Sequence, residues 1–211
     1  MKVVDKIFFG LIIGCAFPFF LCLLSMIIWF YFDKSESRAL FYLTAGLLFG
    51  LIIDIKFLNG WINKRYELPV WFILGIYVLY NIGLYGMLMG FPVFNAFLSL
   101  IAGYYYGRKI LFRKIPSENH CKLINRVSLV TGLIMLFICI SSGFIALAGE
   151  GVGYDIQGML GLRFVITKSM IWGITLIGGI SLIILTIVLT KIAIVKTLKL
   201  KPSHNMDVGD N

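Results

Sequence analysis

The feature that most constrains this chain is the stretch 68–107, which contains no charged side chain. Folded as one helix at about 1.5 Å per residue, it would be about 60 Å long, twice the ~30 Å hydrocarbon core of a bilayer. A break is therefore required. It is expected at Gly90-Phe91-Pro92, because proline resists helix continuation and glycine permits a tight turn. The stretch predicts two membrane-spanning helices joined by a short turn.

The rest of the chain has the same apolar character. Of its 211 residues, 60% are apolar and 14% are charged, whereas soluble domains average about 45–50% and about 25%. We predict an all-α integral membrane protein, in which residues 1–198 form a six-transmembrane-helix bundle and residues 199–211 form a polar, disordered tail. The predicted spans are 7–32, 39–58, 68–89, 91–107, 127–148 and 169–195.

Basic residues are distributed unevenly among the segments that join these spans. Most of the 19 Lys and Arg residues fall at the N-terminus, in the 56–67 and 108–126 connections, and near the C-terminus. Cytoplasmic segments carry the excess of Lys and Arg, so both termini are predicted to be cytoplasmic. The short loops and the lack of an Asn-x-Ser/Thr glycosylation sequence favour a prokaryotic cytoplasmic membrane.

The net charge of +9 is explained by the same flanking residues. The 108–126 loop is the most basic, and it is predicted to lie on anionic lipid headgroups. Nucleic acid is not an expected partner, because the basic residues do not form a separate basic and aromatic face. His120 and Cys121 are adjacent in this loop, but two ligands do not make a zinc site. No metal or other cofactor is predicted.

Asn81 and Asn95 are the polar residues placed deepest in the predicted spans. Tyr77, Asn81 and Tyr85 recur every four residues and share one helix face. Asn95 lies on a narrow face of the next helix that runs from Pro92 to Gly103. A tight turn between the helices lets the two faces meet. Because buried amides need hydrogen-bond partners, one interpretation is a clamp between the helices. The other is a polar pocket in the outer half of the bilayer for a small solute.

Asp54 is the acidic residue that lies well inside an apolar segment. A carboxylate within the membrane is a functional candidate by default, for example in proton coupling. Asp54 also lies about one helical turn from the predicted inner end, with Lys56 and Asn59 nearby, so an interfacial position or a local ion pair is the alternative.

The longest predicted outer segment, 149–168, carries both signs of charge among several glycines. Glu150, Asp155 and Arg163 are its candidate ligand-binding residues. Such a segment suits a lid over an outward-facing pocket. A plain connector is the alternative interpretation, since clustered glycines usually mark loops.

Glycines spaced four apart recur along the predicted helices. Each such pair forms a flat stripe that lets another helix approach closely. Internal packing is the simplest interpretation, and docking of another membrane protein, for example on the first pair, is the alternative. The pairs are Gly10 and Gly14, Gly46 and Gly50, Gly86 and Gly90, and Gly103 and Gly107.

Two functional hypotheses follow from these features. The first is a small-solute transporter, or the membrane subunit of one, that binds its solute near Asn81, Asn95 and the outer loop. The second is a non-enzymatic scaffold or assembly protein that binds other proteins through glycine-striped helices. An enzyme is not expected, because no residues in the sequence pair as catalytic base and nucleophile.

Overall fold

The computed structural model describes residues 2–87, 92–148, 153–154, 157–158, 161 and 163–200 of the chain. All long regular elements in this part of the chain are helices. A π-helical turn, Trp29–Asp33, continues the first of them. The long helices are α1 (Lys2–Ile28), α2 (Glu36–Asn63), α3 (Val70–Met87), α4 (Asn95–Phe112), α5 (Ser117–Ala148) and α6 (Lys168–Lys199).

Five of the six helices are long and apolar enough to cross a membrane. These are α2, α3, α5, α6 and the segment Asp5–Asp33 that contains most of α1. Large apolar side chains such as Phe49, Phe137 and Ile177 are exposed on them. Exposed apolar surface on this scale is unfavourable in water and favourable in lipid. The fold is therefore compatible with an integral membrane protein.

Helix α4 is not among the five, because Asn95, Arg108 and Lys109 lower its hydropathy. The same polar side chains are buried within the protein. Helix α4 contains more buried residues than any other described helix, and its polar side chains are among them. These polar side chains therefore face neighbouring helices. Polar residues of membrane helices generally face the bundle interior in this way.

The chain divides into two compact units, with the boundary between Tyr80 and Asn81 inside α3. In the first unit, α1 and α2 pack antiparallel. A Cβ on Gly46 would lie 2.6 Å from the backbone oxygen of Leu21, and Gly50 packs directly on Pro18. The glycines of α2 therefore allow the α1 backbone near Pro18 to approach closely.

The second unit is built on α6. Helix α4 packs parallel to α6, and α5 packs antiparallel to it, as their contacts at Gly103 and Gly132 show. Buried Ile110, Val127 and Ile194 bring together the C-terminal ends of α4 and α6 and the N-terminal part of α5. A second cluster of buried residues, made of Ala96, Met135 and Cys139, lies nearer the N-terminal end of α4.

Several helices extend beyond the predicted spans. Helix α2 continues to Asn63 instead of ending at residue 58, because Trp61 stacks on Phe17 at 4.7 Å and Ile62 is buried. These contacts outweigh the ~1 kcal/mol that a helical glycine, here Gly60, costs relative to alanine. A prediction based on span length stops at the bilayer surface and does not detect helix that continues beyond it.

The predicted 108–126 loop is the largest difference from the sequence analysis. Most of this segment is helical, since α4 runs to Phe112 and α5 begins at Ser117 instead of residue 127. Only a short turn joins them, in which Lys114 adopts a left-handed conformation with φ of 48°. The apolar side chains of Leu123 and Ile124 pack on the end of the unit, and this burial extends α5 into the basic segment.

Candidate functional site

The buried asparagines of α3 and α4 contact each other in the second unit. Asn95 donates from its side-chain nitrogen to the backbone oxygen of Asn81 at 2.6 Å and to its side-chain oxygen at 3.2 Å. Both side chains are almost completely buried, with exposed fractions of 0% and 1%. Asn95 is the first residue of α4, and its backbone N–H donates to the backbone oxygen of Pro92. This turn directs the side-chain amide of Asn95 toward α3.

The remaining acceptor of Asn95 is unsatisfied within the described residues. Its carboxamide oxygen is buried and has no hydrogen-bond partner. A buried acceptor without a donor costs free energy, and such groups in native proteins normally bind water or a ligand. The site can therefore accept a hydrogen bond from a small polar molecule, in addition to holding the two helices together.

A line of hydroxyl groups lies in the same unit, between α5 and α6. The hydroxyl oxygens of Thr131 and Thr190 are 2.9 Å apart. Thr131 also lies 3.0 Å from the backbone oxygen of Ser128, and Thr190 lies 2.9 Å from that of Thr186. The two hydroxyl protons serve three contacts, so either threonine can donate to the other while the other donates to its own helix.

Two further hydroxyl groups extend this line. The side-chain oxygens of Ser128 and Thr186 are buried and have no partner among the described residues. Each lies about one helical turn from a member of the threonine pair. Asn95 and Ser99 of α4, Ser128 and Thr131 of α5, and Thr186 and Thr190 of α6 are buried, uncharged polar residues of this unit, and we refer to them together as the polar seam. It is uncharged, buried, and only partly satisfied by the chain's own groups.

Glycines of α4 make the close packing beside the seam possible. A Cβ on Gly103 would lie 2.6 Å from that of Ala193 and 2.7 Å from the backbone oxygen of Thr190. A Cβ on Gly107 would lie 2.6 Å from the Cβ of Thr197. Real side chains do not approach this closely, so α4 and α6 lie in contact because these positions carry glycine.

Asp54 lies in the other unit, between α1 and α2. Its side chain is 6% exposed, and one carboxylate oxygen is buried without a hydrogen-bond partner. The second oxygen lies 3.9 Å from where a Cβ on Gly14 would be. The structure therefore places this carboxylate against α1, with no ion pair to Lys56, whose amine lies 5.5 Å from the centre of the Phe57 ring.

The glycine pairs of the first unit face the chain's own helices. A Cβ on Gly10 would lie 3.2 Å from Ile62, and one on Gly14 would lie 3.1 Å from Leu58. Gly46 and Gly50 face α1, as described above. Gly86 has no atom within 4 Å of its Cβ position, and Gly90 lies outside the described residues.

The structure describes some of the other predicted site residues and not others. Tyr77 and Tyr85 are both half-buried, but they belong to different units. Arg163 is exposed and precedes α6. Glu150 and Asp155 lie outside the described residues, as do the Gly90 turn and residues 201–211 of the predicted tail.

Sequence reasoning did not select the hydroxyl residues of α5 and α6, or Tyr80. The Tyr80 hydroxyl donates to the backbone oxygen of Ile12 at 2.7 Å and fastens α3 to α1. Hydropathy averages conceal isolated threonines, because the many apolar residues around them dominate the mean. The available signal is the spacing of Ser128 and Thr131, and of Thr186 and Thr190, on single helix faces.

The basic end of the second unit has two layers. Arg108 and Lys109 are buried, although the sequence placed them in the exposed loop. Lys109 lies with its amine 3.5 Å from the Tyr105 hydroxyl. The outer layer is exposed and consists of Arg113, Lys114, Lys122, Arg126, Lys196 and Lys199. This outer layer is what remains available to anionic headgroups.

Among the described residues, no group of three or more His, Cys, Asp or Glu side chains could hold a metal ion. Comparison with known proteins found no matching family model, curated protein or solved structure.

Proposed function

We propose that this chain is a prokaryotic cytoplasmic-membrane protein with six membrane-spanning helices that transports a small solute, alone or as the membrane subunit of a transporter. The observation that carries the proposal is the carboxamide oxygen of Asn95, which is buried and without a donor. A purely structural clamp has no need of an unsatisfied acceptor at its centre. A solute site does, because the solute supplies the missing hydrogen bond.

Counting α4 as the sixth span is supported by where its polar groups lie. At about 1.5 Å per residue, 18 helical residues extend about 27 Å, close to the ~30 Å hydrocarbon core. The groups that lower its hydropathy are buried against α3 and α6 or lie at its C-terminal end. Its exposed side chains, such as Phe97, are apolar and suit contact with lipid.

The orientation is supported by the exposed cations of the second unit. Arg113, Lys114, Lys122 and Arg126 lie where α4 ends and α5 begins, and Lys196 and Lys199 lie at the adjoining end of α6. This end is cytoplasmic by the positive-inside rule. With six spans, the N-terminus then lies on the same side, as the sequence predicts.

The chemistry of the polar seam indicates the class of solute. Its buried side chains are asparagine, serine and threonine, so it contains no fixed charge to pair with an ionic solute. Asn95 offers an acceptor, and the unpartnered hydroxyls of Ser128 and Thr186 both donate and accept. The expected solute is a small, neutral molecule with amide or hydroxyl groups.

Uptake by the source cells tests the proposal. Accumulation of radiolabelled nucleosides, sugars and small uncharged amides is compared among cells with the gene intact, deleted, or carrying Asn81→Leu with Asn95→Leu. The double change removes both amides together, which leaves the helix contact apolar and close to neutral in stability. We expect one compound class to enter about tenfold more slowly in the variant, the effect of losing ~1.4 kcal/mol of binding. Unchanged uptake of every compound by a folded variant would contradict transport.

A scaffold that binds other proteins through its glycine stripes is the alternative. The glycines of four stripe positions, Gly10, Gly14, Gly103 and Gly107, are in contact with α2 or α6 of the chain itself. A partner docked there would have to displace one of these helices. The geometry therefore favours transport over docking at these stripes.

A further inference from the structure

We propose that Asp54 is a proton-binding site inside the membrane, where its carboxyl group holds a proton at neutral pH and releases it only when its surroundings change. The side chain is 6% exposed, one of its carboxylate oxygens is buried without a hydrogen-bond partner, and no described residue forms an ion pair with it. An ionised carboxylate in this position would lose most of its hydration and would have no counter-charge. The assignment concerns Asp54 alone and does not depend on a solute or on transport.

The depth of Asp54 along α2 supports this assignment. Helix α2 extends from Glu36 to Asn63, so Asp54 lies about 7 Å from its midpoint at about 1.5 Å per residue. The hydrocarbon core extends about 15 Å to either side of the bilayer centre. With α2 centred in the bilayer, Asp54 lies within hydrocarbon. The shorter predicted span had left an interfacial position open as the alternative.

The charged and titratable neighbours do not neutralise the carboxylate. Tyr80 of α3 is within electrostatic range of Asp54, and Cys15 of α1 is within range of Tyr80, but neither residue carries a positive charge. The Tyr80 proton is already donated to the backbone oxygen of Ile12. On α2 itself, Lys56 is exposed and its amine lies near the Phe57 ring. None of these groups supplies the positive charge that an ionised Asp54 needs.

A proton fits the site better than a metal cation. Cations such as Na⁺ or Ca²⁺ require several oxygen ligands around one point. The closest groups identified beside Asp54 are apolar, namely the Gly14 position and the Leu58 side chain next to it. Within the described part of the chain, no cluster of carboxylate, thiol or imidazole groups completes a coordination shell.

The test is carbon-13 NMR of the full chain in lipid nanodiscs, with the aspartate carboxyl carbons labelled. Asp54 is assigned from the signal lost in Asp54→Asn. Asp33→Asn serves as the matched control, because Asp33 has a counter-charge in Arg38 at 3.4 Å. The proposal predicts that the Asp54 signal is that of a neutral carboxyl at neutral pH, and that it changes only in alkaline buffer. Replacing choline chloride with sodium chloride should leave it unchanged.

Leu58→Lys supplies a second, independent variant. It places an ammonium group one turn from Asp54 on the same face, and a close opposite charge favours the ionised form. The Asp54 signal should therefore shift to the ionised position at neutral pH. An ionised signal in the unaltered chain at neutral pH would overturn the proposal. Deprotonation that requires sodium would assign the site to a metal cation and would overturn it equally.

Discussion

Thr131 of α5 and Thr190 of α6 lie with their hydroxyl oxygens 2.9 Å apart in the interface between these two helices. Both hydroxyls also reach backbone oxygens of their own helices, so each residue can satisfy itself if the other is removed. The contact therefore links the two helices without creating a large penalty when it is lost. This arrangement suits an interface whose polar groups change partners.

Thr190→Val keeps the shape of the side chain and removes the hydroxyl. We expect the free energy of unfolding to fall by about 0.6 kcal/mol, the average for hydrogen bonds between membrane helices. A double-mutant cycle with Thr131→Val should show coupling of the same size. Thr44→Val is the matched control, because Thr44 is exposed and bonds only to its own helix. Unfolding is measured in mixed micelles, and a coupling of zero would contradict a direct contact.

Gly50→Ala should disrupt the first unit. The added Cβ would overlap the backbone of Pro18, which cannot move aside as a flexible side chain can. Overpacking of this kind costs about 1–3 kcal/mol. Gly75→Ala is the matched control, since no atom lies within 4 Å of its Cβ position and alanine favours helix. The two variants are compared by thermal unfolding in detergent, and equal melting temperatures would show that α1 and α2 do not approach as described.

The exposed cations where α4 meets α5 should bind anionic lipid. Exchanging Arg113, Lys114, Lys122 and Arg126 for glutamine removes about 1 kcal/mol of attraction per charge near the membrane surface. Retention of phosphatidylglycerol on the purified protein, measured by native mass spectrometry, should therefore fall steeply. Lys34→Gln with Arg38→Gln is the control at the opposite predicted surface. Equal loss of lipid from both variants would show that the basic end has no special role.

The sequence predicted the apolar helices but not where most of them end. A run without charged residues indicates only the part of a helix that lies in hydrocarbon. The continuation of α2 beyond that part depends on tertiary contacts such as the stacking of Trp61 on Phe17. The Asn81 and Asn95 faces were expected to meet, because a short turn joins their helices, and the structure brings them together. The threonines of α5 and α6 were not selected, since only the packing shows which helix face is buried.

The central claim is that α4 crosses the membrane, and the accessibility of the two ends of α4 tests this claim most directly. Val93 and Arg113 bracket the helix, and both are exposed. Each is replaced by cysteine in a chain with its four native cysteines changed to serine or alanine, and intact cells and inverted vesicles are treated with a membrane-impermeant maleimide. We predict that the cysteine at position 93 reacts only from outside the cell and the cysteine at position 113 only from the cytoplasmic side. Labelling of both positions from the same side would contradict the six-span arrangement and the buried polar seam within it.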